Sequence, residues 1–92
     1  MPSTALTPTS RARLSPHLRL SFDPVRQRHV LLGPESVTVL NPTGAAIAQL
    51  CDGRTTTEVL DALRQRYAAV PEDEVLAFLE RLAGRGAVIV DE

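Results

Sequence analysis

The sequence contains no lysine and no tryptophan, and aromatic side chains make up only 3% of its 92 residues. Its hydrophobic core is therefore expected to consist mainly of aliphatic side chains. Cys51 is the single cysteine, so an internal disulfide is excluded, and a cytoplasmic location is the simplest expectation. No apolar run approaches the length of about 20 residues that a membrane-spanning helix needs, and the N-terminal residues lack the apolar segment of a secretory signal.

The residue patterns of common catalytic and metal sites are also missing. His17, His29 and Cys51 match no zinc-ligand spacing, and no glycine-rich phosphate loop is present. The carboxylates of Glu72–Glu74 occupy consecutive helical positions, so they point in different directions and suit the positive end of a helix dipole instead. Cys51, in the last turn of a predicted helix, is expected to be a small buried side chain. We expect no catalytic residue, no metal site and no cofactor.

Charge is distributed unevenly, although the net charge is −1. Residues 1–28 contain five arginines and one acid, a net +4, whereas residues 29–92 contain five arginines and ten acids, a net −5. Because residues 1–15 are rich in Ser, Thr and Pro, they predict a flexible N-terminal arm, and residues 16–92 predict one folded domain. The arm is expected either to be inert or to exchange between protomers, so the protein is expected to be a monomer or a weak homodimer.

Three short segments predict β-strands. "HLRLSF" (17–22) alternates apolar and polar residues, and "RHVLL" (28–32) and "VTVL" (37–40) follow after turn sequences. Short links between consecutive strands favour antiparallel pairing. We therefore expect a small three-stranded antiparallel sheet with at least one free edge, whose unpaired N–H and C=O groups are a liability unless they are used.

Cap residues define the first two helices. Asn41 is a favoured N-cap, and Pro42 suits the first helical position because its missing N–H would be unpaired there. Gly53 is expected to end this helix in a left-handed conformation. Thr55 and Glu58 have the spacing of a capping box and predict that a second helix begins at once.

A third helix is predicted to begin at Pro71 and to end at "GRG" (84–86), and "AVIV" (87–90) predicts a short terminal strand. Together the segments predict an α+β fold in which a three-stranded antiparallel sheet is followed by three helices and a short C-terminal strand. The order of helix, tight turn and helix before a strand is winged helix-turn-helix-like.

Residues 37–63, "VTVLNPTGAAIAQLCDGRTTTEVLDAL", and residues 75–90, "VLAFLERLAGRGAVIV", resemble the PqqD family. The shared features are a strand ending in Leu-Asn, a helix containing Thr-Gly, an Asp-Gly break and a Phe-Leu-x-x-Leu helix. The resemblance covers residues 16–92 and implies a non-catalytic, PqqD-like peptide-binding domain. It implies a peptide chaperone in pyrroloquinoline quinone (PQQ) biosynthesis, which binds the precursor peptide PqqA and presents it to the radical S-adenosylmethionine enzyme PqqE.

The resemblance also implies a binding mode, because in other pathways that modify ribosomal peptides the leader adds a strand to the third strand of this fold and rests against the third helix. The corresponding candidate peptide-binding residues here are Val37, Thr38, Val39, Leu40, Val75, Leu76 and Leu79. Strand addition suits an exposed strand edge, because backbone hydrogen bonds give affinity and side-chain pockets give specificity. Which of the three helical residues face the peptide and which face the core is left open by the sequence.

Three other functions remain open at this point. The same fold serves as a leader-recognition domain in other pathways that modify ribosomal peptides, and the fold alone does not distinguish them. A winged-helix DNA-binding regulator is a second alternative. It is disfavoured because the helix after the turn carries Glu58 and Asp61 beside its arginines, and no basic face is evident. A small enzyme is the third, and no catalytic motif supports it.

Overall fold

A computed structural model describes residues 6–91 of the chain. The strands are β1 (Arg11–Leu14), β2 (Arg19–Asp23), β3 (Arg28–Leu32), β4 (Val37–Leu40), β5 (Asp52–Thr55) and β6 (Val88–Asp91). The helices are α1 (Pro42–Gln49), α2 (Thr56–Arg66) and α3 (Glu72–Gly84). Within residues 6–91, no helix combines the length and the apolar character needed to cross a membrane.

Two antiparallel sheets of three strands organise the fold. One has the order β2-β3-β4, with Leu31 opposite Leu20 on one side and opposite Thr38 on the other. It is the sheet that the sequence predicts, and the α+β class with three helices is confirmed. The second sheet has the order β5-β1-β6 and was not predicted, although its strand β6 confirms the predicted terminal strand 87–90.

The prediction that residues 1–15 form a flexible arm is corrected by the structure of the N-terminal segment. Residues 11–14 form β1, the central strand of the second sheet, where Ala12 is 1% exposed and lies opposite Val90. Ser10 is also buried, and its carbonyl accepts hydrogen bonds from the Thr56 N–H at 2.9 Å and hydroxyl at 3.1 Å. The first five residues of the predicted arm lie outside the described range.

Two predicted helix starts are confirmed by their hydrogen bonds. The Asn41 side chain accepts a bond of 2.6 Å from the Gly44 N–H, with Pro42 as the first helical residue. At α2, the Glu58 N–H donates to the Thr55 hydroxyl at 3.2 Å, and the Thr55 N–H donates to the Glu58 carboxylate at 2.7 Å. This reciprocal pair is the predicted capping box.

The predicted role of Gly53 as the C-cap of the first helix is wrong. α1 ends at Gln49 and is capped by Leu50. Gly53 lies within β5 with a φ of +97°, where the register between β1 and β5 shifts by one residue. A glycine accommodates this left-handed conformation without strain, so its function is to form a β-bulge.

The core lies between the two sheets and the three helices. Its largest fully buried side chains include Leu31 from β3, Val59 and Leu63 from α2, and Leu79 from α3. α1 contributes Ile47 and several alanines. The short alanine side chains let neighbouring elements approach closely. The core is aliphatic, as the scarcity of aromatic residues predicts.

Candidate functional site

Strand β4 forms one edge of the β2-β3-β4 sheet and pairs only with β3 among the described residues. Its sequence, "VTVL", contains no charged residue and no proline. Charge and proline are the usual features that block pairing at a sheet edge. The edge of β4 therefore has an unblocked backbone.

The hairpin between β3 and β4 shows which backbone groups are free at this edge. The Gly33 N–H donates to the Ser36 carbonyl at 2.9 Å, which makes these residues a hydrogen-bonded pair at the turn. Bonded and non-bonded pairs alternate in an antiparallel ladder, so Thr38 and Leu40 bond to β3 in the observed register. The N–H and C=O groups of Val37 and Val39 consequently point away from β3.

The side chains of β4 also alternate between two environments. Leu40 is buried in the core and Thr38 is half-buried on the same face. Val37 and Val39 lie on the opposite face and are 58% and 50% exposed. An extended chain that paired with β4 would have the same alternation, with every second side chain directed towards α3.

A groove runs between β4 and α3. It consists of three adjoining cavities of about 150, 240 and 190 Å³. The first two share Asn41, Phe78 and Arg81 as lining residues, and the last two share Thr38, Leu82 and Arg85. The groove therefore follows β4 for its whole length and is open beside the free strand edge.

The groove-facing residues of α3 recur at helical spacing. Glu74, Phe78, Arg81 and Arg85, the C-cap residue, line the groove. At about 100° per residue these positions form one narrow stripe along the helix. A neighbouring stripe contains the buried side chains of α3: Val75, Leu79 and Leu82. The two stripes explain why the apolar face of this helix is broader than one packing contact requires.

The structure brings together the β4 residues predicted for the site but places the helical ones differently. Leu79 is fully buried in the core, and Val75, which borders the first cavity, is 3% exposed. Leu76 lies about 200° around the helix from Glu74, on the side away from the groove. In the sequence, the groove-facing residues are recognisable only by their helical spacing at 74, 78, 81 and 85. Three of the four are charged, so they are not found when apolar helical positions are sought.

Gly44 sets the width of one end of the groove. A Cβ atom at this position would lie 3.0 Å from the Asn41 side-chain oxygen and 3.2 Å from the Phe78 ring. Both distances are shorter than ordinary van der Waals contacts, so a larger residue would push Phe78 away from α1. This gives a structural reason for the Thr-Gly pair in the first helix.

A further cavity of about 310 Å³ lies on the other side of α1. Its lining includes Phe22 and His29, whose rings meet edge to face with centroids 5.1 Å apart, and Tyr67 with the Arg66 guanidinium 5.8 Å from its ring. It shares Leu40 and Asn41, at the end of β4, with the groove, but no residue of α3 lines it. No sequence pattern predicted this cavity.

The structure gives no sign that Cys51 acts as a nucleophile or that the described residues form a metal site. Cys51 is buried, its thiol donates to the Ile47 carbonyl at 3.4 Å, and burial raises the pKa of that thiol to about 11. Such a thiol is protonated at neutral pH and is a poor nucleophile. In the part of the chain that the structure describes, no three His, Cys, Asp or Glu side chains lie close enough to hold a metal ion.

Comparison with known proteins gives consistent matches. The sequence model of a family described as "Coenzyme PQQ synthesis protein D (PqqD)" matches residues 28–88. A "PqqA binding protein" of Rhodopseudomonas palustris (strain TIE-1) is 42% identical over 86 residues, which cover 89% of this chain and 84% of that protein. A protein of the same name from Methylococcus capsulatus is 39% identical over 84 residues, covering 89% of this chain and 90% of that one.

A solved structure extends the match to the fold. The solution NMR structure of the PqqD truncation of Methylobacterium extorquens PqqCD matches with a TM-score of 0.80 and 36% sequence identity. The match covers 97% of this chain and 99% of that one. That protein is described as a functional, stand-alone recognition element for ribosomally synthesized and post-translationally modified peptides. By sequence and by fold, this chain belongs to the coenzyme PQQ synthesis protein D (PqqD) family.

Proposed function

We propose that this protein is a peptide chaperone of PQQ biosynthesis that binds the precursor peptide PqqA in the groove between β4 and α3. Its relatives from R. palustris and M. capsulatus are named for PqqA binding, and the matched solved structure is a peptide-recognition element. The precursor adds a strand to β4, and its groove-facing side chains contact α3.

The observation that carries the proposal is the free, uncharged edge of β4 beside a continuous groove. The outward N–H and C=O groups of Val37 and Val39 provide backbone partners for an added strand. Thr38 and Leu40 on β4, and Phe78 and Arg81 on α3, line the groove that receives alternate side chains of that strand. Strand addition next to a side-chain groove is a recurring mode of peptide recognition.

The protein acts without catalysis in this proposal. Its relatives are named as binding proteins, and its one thiol is buried and protonated. The chemistry on PqqA belongs to PqqE, to which we propose that the protein presents the bound peptide. A cytoplasmic location suits the single free cysteine, and a monomer or weak homodimer suffices for a site built within one chain.

We also propose a winged helix-turn-helix-like arrangement for α1, α2 and the strands beside them. The same geometry does not favour a DNA-binding function. Arg64, one of the two arginines on α2, is paired with Asp61 at 3.4 Å and Glu72 at 3.0 Å, which reduces the positive charge that α2 could offer a DNA phosphate. Recognition of a different precursor peptide remains the nearest alternative, since the groove would be the same.

The proposal is tested by removing one backbone donor from the free edge. In Val39→Pro the N–H that points to the added strand is lost, whereas the bonds between β4 and β3 are kept, since proline is tolerated on an edge strand. Val39→Ala is the matched control, because it shortens the side chain and keeps the N–H. Titration calorimetry with synthetic PqqA should show binding about tenfold weaker for Val39→Pro, which corresponds to about 1.4 kcal/mol.

Equal PqqA affinity for the wild type, Val39→Pro and Val39→Ala, with unchanged circular dichroism spectra, would contradict strand addition at β4. To separate PQQ biosynthesis from another pathway, the same titration is made with leader peptides of unrelated ribosomal precursors. Tighter binding of one of these than of PqqA would replace PqqA as the partner and leave the groove assignment intact.

A further inference from the structure

Two arginines lie next to each other along the groove without a carboxylate partner. Arg81 and Arg85 are four residues apart and both line the cavity of about 240 Å³ beside β4. In the described part of the chain, four other arginines each lie within 4.0 Å of a carboxylate: Arg13, Arg26, Arg54 and Arg64. Neither groove arginine has such a neighbour among residues 6–91. Their charges are therefore available to a ligand.

Neighbouring side chains hold both guanidinium groups at the groove. The Arg81 guanidinium carbon lies 5.8 Å from the centroid of the Phe78 ring, a cation–π arrangement that leaves its N–H donors at the edge free. The Arg85 guanidinium donates to the Thr38 hydroxyl at 3.4 Å, so it reaches across the groove to β4. Part of the cost of ordering these long side chains is therefore met before a peptide binds.

The opposite end of the groove has the opposite charge. Glu74 lines the cavity near the start of α3, and Glu72 and Asp73 precede it. Arg85 lies beside the beginning of β4, near Thr38, and Glu74 lies near Asn41 at the other end. Arg81 lies between them and lines both of the groove cavities that contain Asn41. The groove is thus basic at one end and acidic at the other, and it distinguishes the two directions of a charged peptide.

The spacing of the two arginines fits an extended chain. Residues four apart on a helix are separated by about 6 Å along its axis. Side chains on the same face of a strand are two residues apart, or about 6.8 Å. Carboxylates at alternate positions of a strand paired with β4 therefore lie opposite Arg81 and Arg85 in turn.

We propose that the basic end of the groove selects an acidic segment of the peptide, in which two carboxylate side chains two positions apart pair with Arg81 and Arg85. This inference rests on the proposed function, because it takes an extended peptide on β4 as the occupant. Guanidinium–carboxylate pairs are charge-assisted and directional. They fix the register and direction of the peptide, which backbone pairing alone leaves undetermined.

A double-mutant cycle between protein and peptide tests the inference. The protein forms are the wild type, Arg81→Gln, Arg85→Gln and the double variant. The probes are synthetic PqqA and versions in which each Asp or Glu is changed singly to Asn or Gln. We expect each arginine variant to bind PqqA about tenfold more weakly, and two peptide carboxylates, two positions apart, to account for that loss. Changing those carboxylates should weaken binding to the wild type and hardly affect binding to the double variant.

Arg19→Gln is the matched control. Arg19 is exposed at the start of β2, has no carboxylate partner within residues 6–91 and lines none of the three groove cavities. The Arg19→Gln substitution removes the same charge from the protein and leaves the groove residues unchanged. Binding of PqqA to Arg19→Gln should equal that of the wild type at about 0.15 M ionic strength, where the Debye length is about 8 Å.

The inference is overturned if Arg81→Gln and Arg85→Gln bind PqqA as the wild type does, if Arg19→Gln loses as much affinity as they do, or if the sensitive carboxylates are not two positions apart. Its failure is distinguishable from failure of the proposed function by the strand-edge variant. Weak binding to Val39→Pro together with unchanged binding to the arginine variants leaves strand addition standing. Unchanged binding to Val39→Pro removes both.

Discussion

Two edge strands of the molecule, β4 and β5, are protected to different degrees. β5 has the sequence "DGRT", contains a bulge at Gly53 and runs directly into the capping box of α2. Its charged side chains pair with each other, with Arg54 and Asp52 2.8 Å apart. β4 has the sequence "VTVL", keeps a regular register with β3 and has no charged residue.

The difference indicates which edge is left open for a partner. Charges and bulges are the means by which proteins block unwanted strand pairing, and β5 has both. Of the four edge strands in the described part of the chain, β2, β4, β5 and β6, only β4 has no charged residue. An apolar edge that is regular and unprotected is a risk of aggregation unless it has a use. Adding a peptide strand is such a use.

The largest expected effect concerns the sheet that contains β5. Ala12 lies on its central strand and is 1% exposed, so Ala12→Asp buries an unpaired charge. We expect a loss of more than about 4 kcal/mol in the free energy of unfolding, measured by urea denaturation. Arg13→Ala, on the opposite face of β1, should change it by less than about 1 kcal/mol, since its ion pair with Asp91 is exposed. A stable Ala12→Asp variant would restore the flexible-arm interpretation of this segment.

The second expected effect distinguishes the side of β4 that bonds to β3 from the side that is free. The Thr38 N–H bonds to β3, whereas the Val39 N–H points outwards, so proline at these adjacent positions should act differently. We expect Thr38→Pro to lower the free energy of unfolding by about 1–3 kcal/mol because it leaves a buried acceptor unpaired. Val39→Pro should leave it nearly unchanged and lower only peptide affinity. Equal destabilisation by both variants would contradict the assigned hydrogen-bonding alternation.

A smaller effect is expected where β5 meets α2. Thr55→Ala removes the hydroxyl that accepts from the Glu58 N–H, and the loss of such a cap costs about 1 kcal/mol. Thermal unfolding should show this decrease, and Thr55→Ser should recover most of the stability. Because the capping box is remote from β4, PqqA should bind both variants equally. A clear loss of PqqA affinity in the folded Thr55→Ala protein would show that the two regions are coupled.

The smallest effect concerns the pH dependence of the ion pair on β5. Hydrogen bonds from Arg54 lower the pKa of Asp52 to about 2 from its ordinary value of 3.8. A carboxyl group whose pKa is lower in the folded state stabilises the fold above the unfolded pKa, and this stabilisation is lost as the pH falls towards the folded pKa. Stability should therefore fall between about pH 4 and about pH 2, and less steeply in Arg54→Gln. An equal acid-induced loss in both proteins would contradict a stabilising pair.

The sequence predicted those elements whose signal is local. β3 and β4 coincide with the predicted strands 28–32 and 37–40, and the caps at Asn41 and Thr55 formed as expected, because alternation and cap chemistry act over a few residues. β1 was missed because "RARL" is short and places only Ala12 deep in the core. Its partners, β5 and β6, lie about 40 and 80 residues away in the sequence.

The groove contains predicted residues of β4, whereas most of its residues on α3 were not among those predicted. An apolar edge strand such as Val37–Leu40 is visible in sequence. The groove-facing stripe of α3 mixes Glu74 and Phe78 with arginines, whereas its core-facing stripe is wholly apolar. A search for apolar helical positions therefore finds Val75 and Leu79, which pack in the core. Only the packing of α3 against the sheets determines which stripe faces β4.

Binding of PqqA in the groove between β4 and α3 can be observed through the amide chemical shifts of isotope-labelled protein titrated with synthetic PqqA. We predict that the perturbed amides cluster on residues 37–41 and on residues 74–85, which belong to α3 and its C-cap, while those of β5 stay unchanged. Shifts concentrated on β5, or around the cavity that contains Phe22 and Tyr67, would contradict binding in this groove. So would unchanged spectra at saturating PqqA, both alone and with PqqE added.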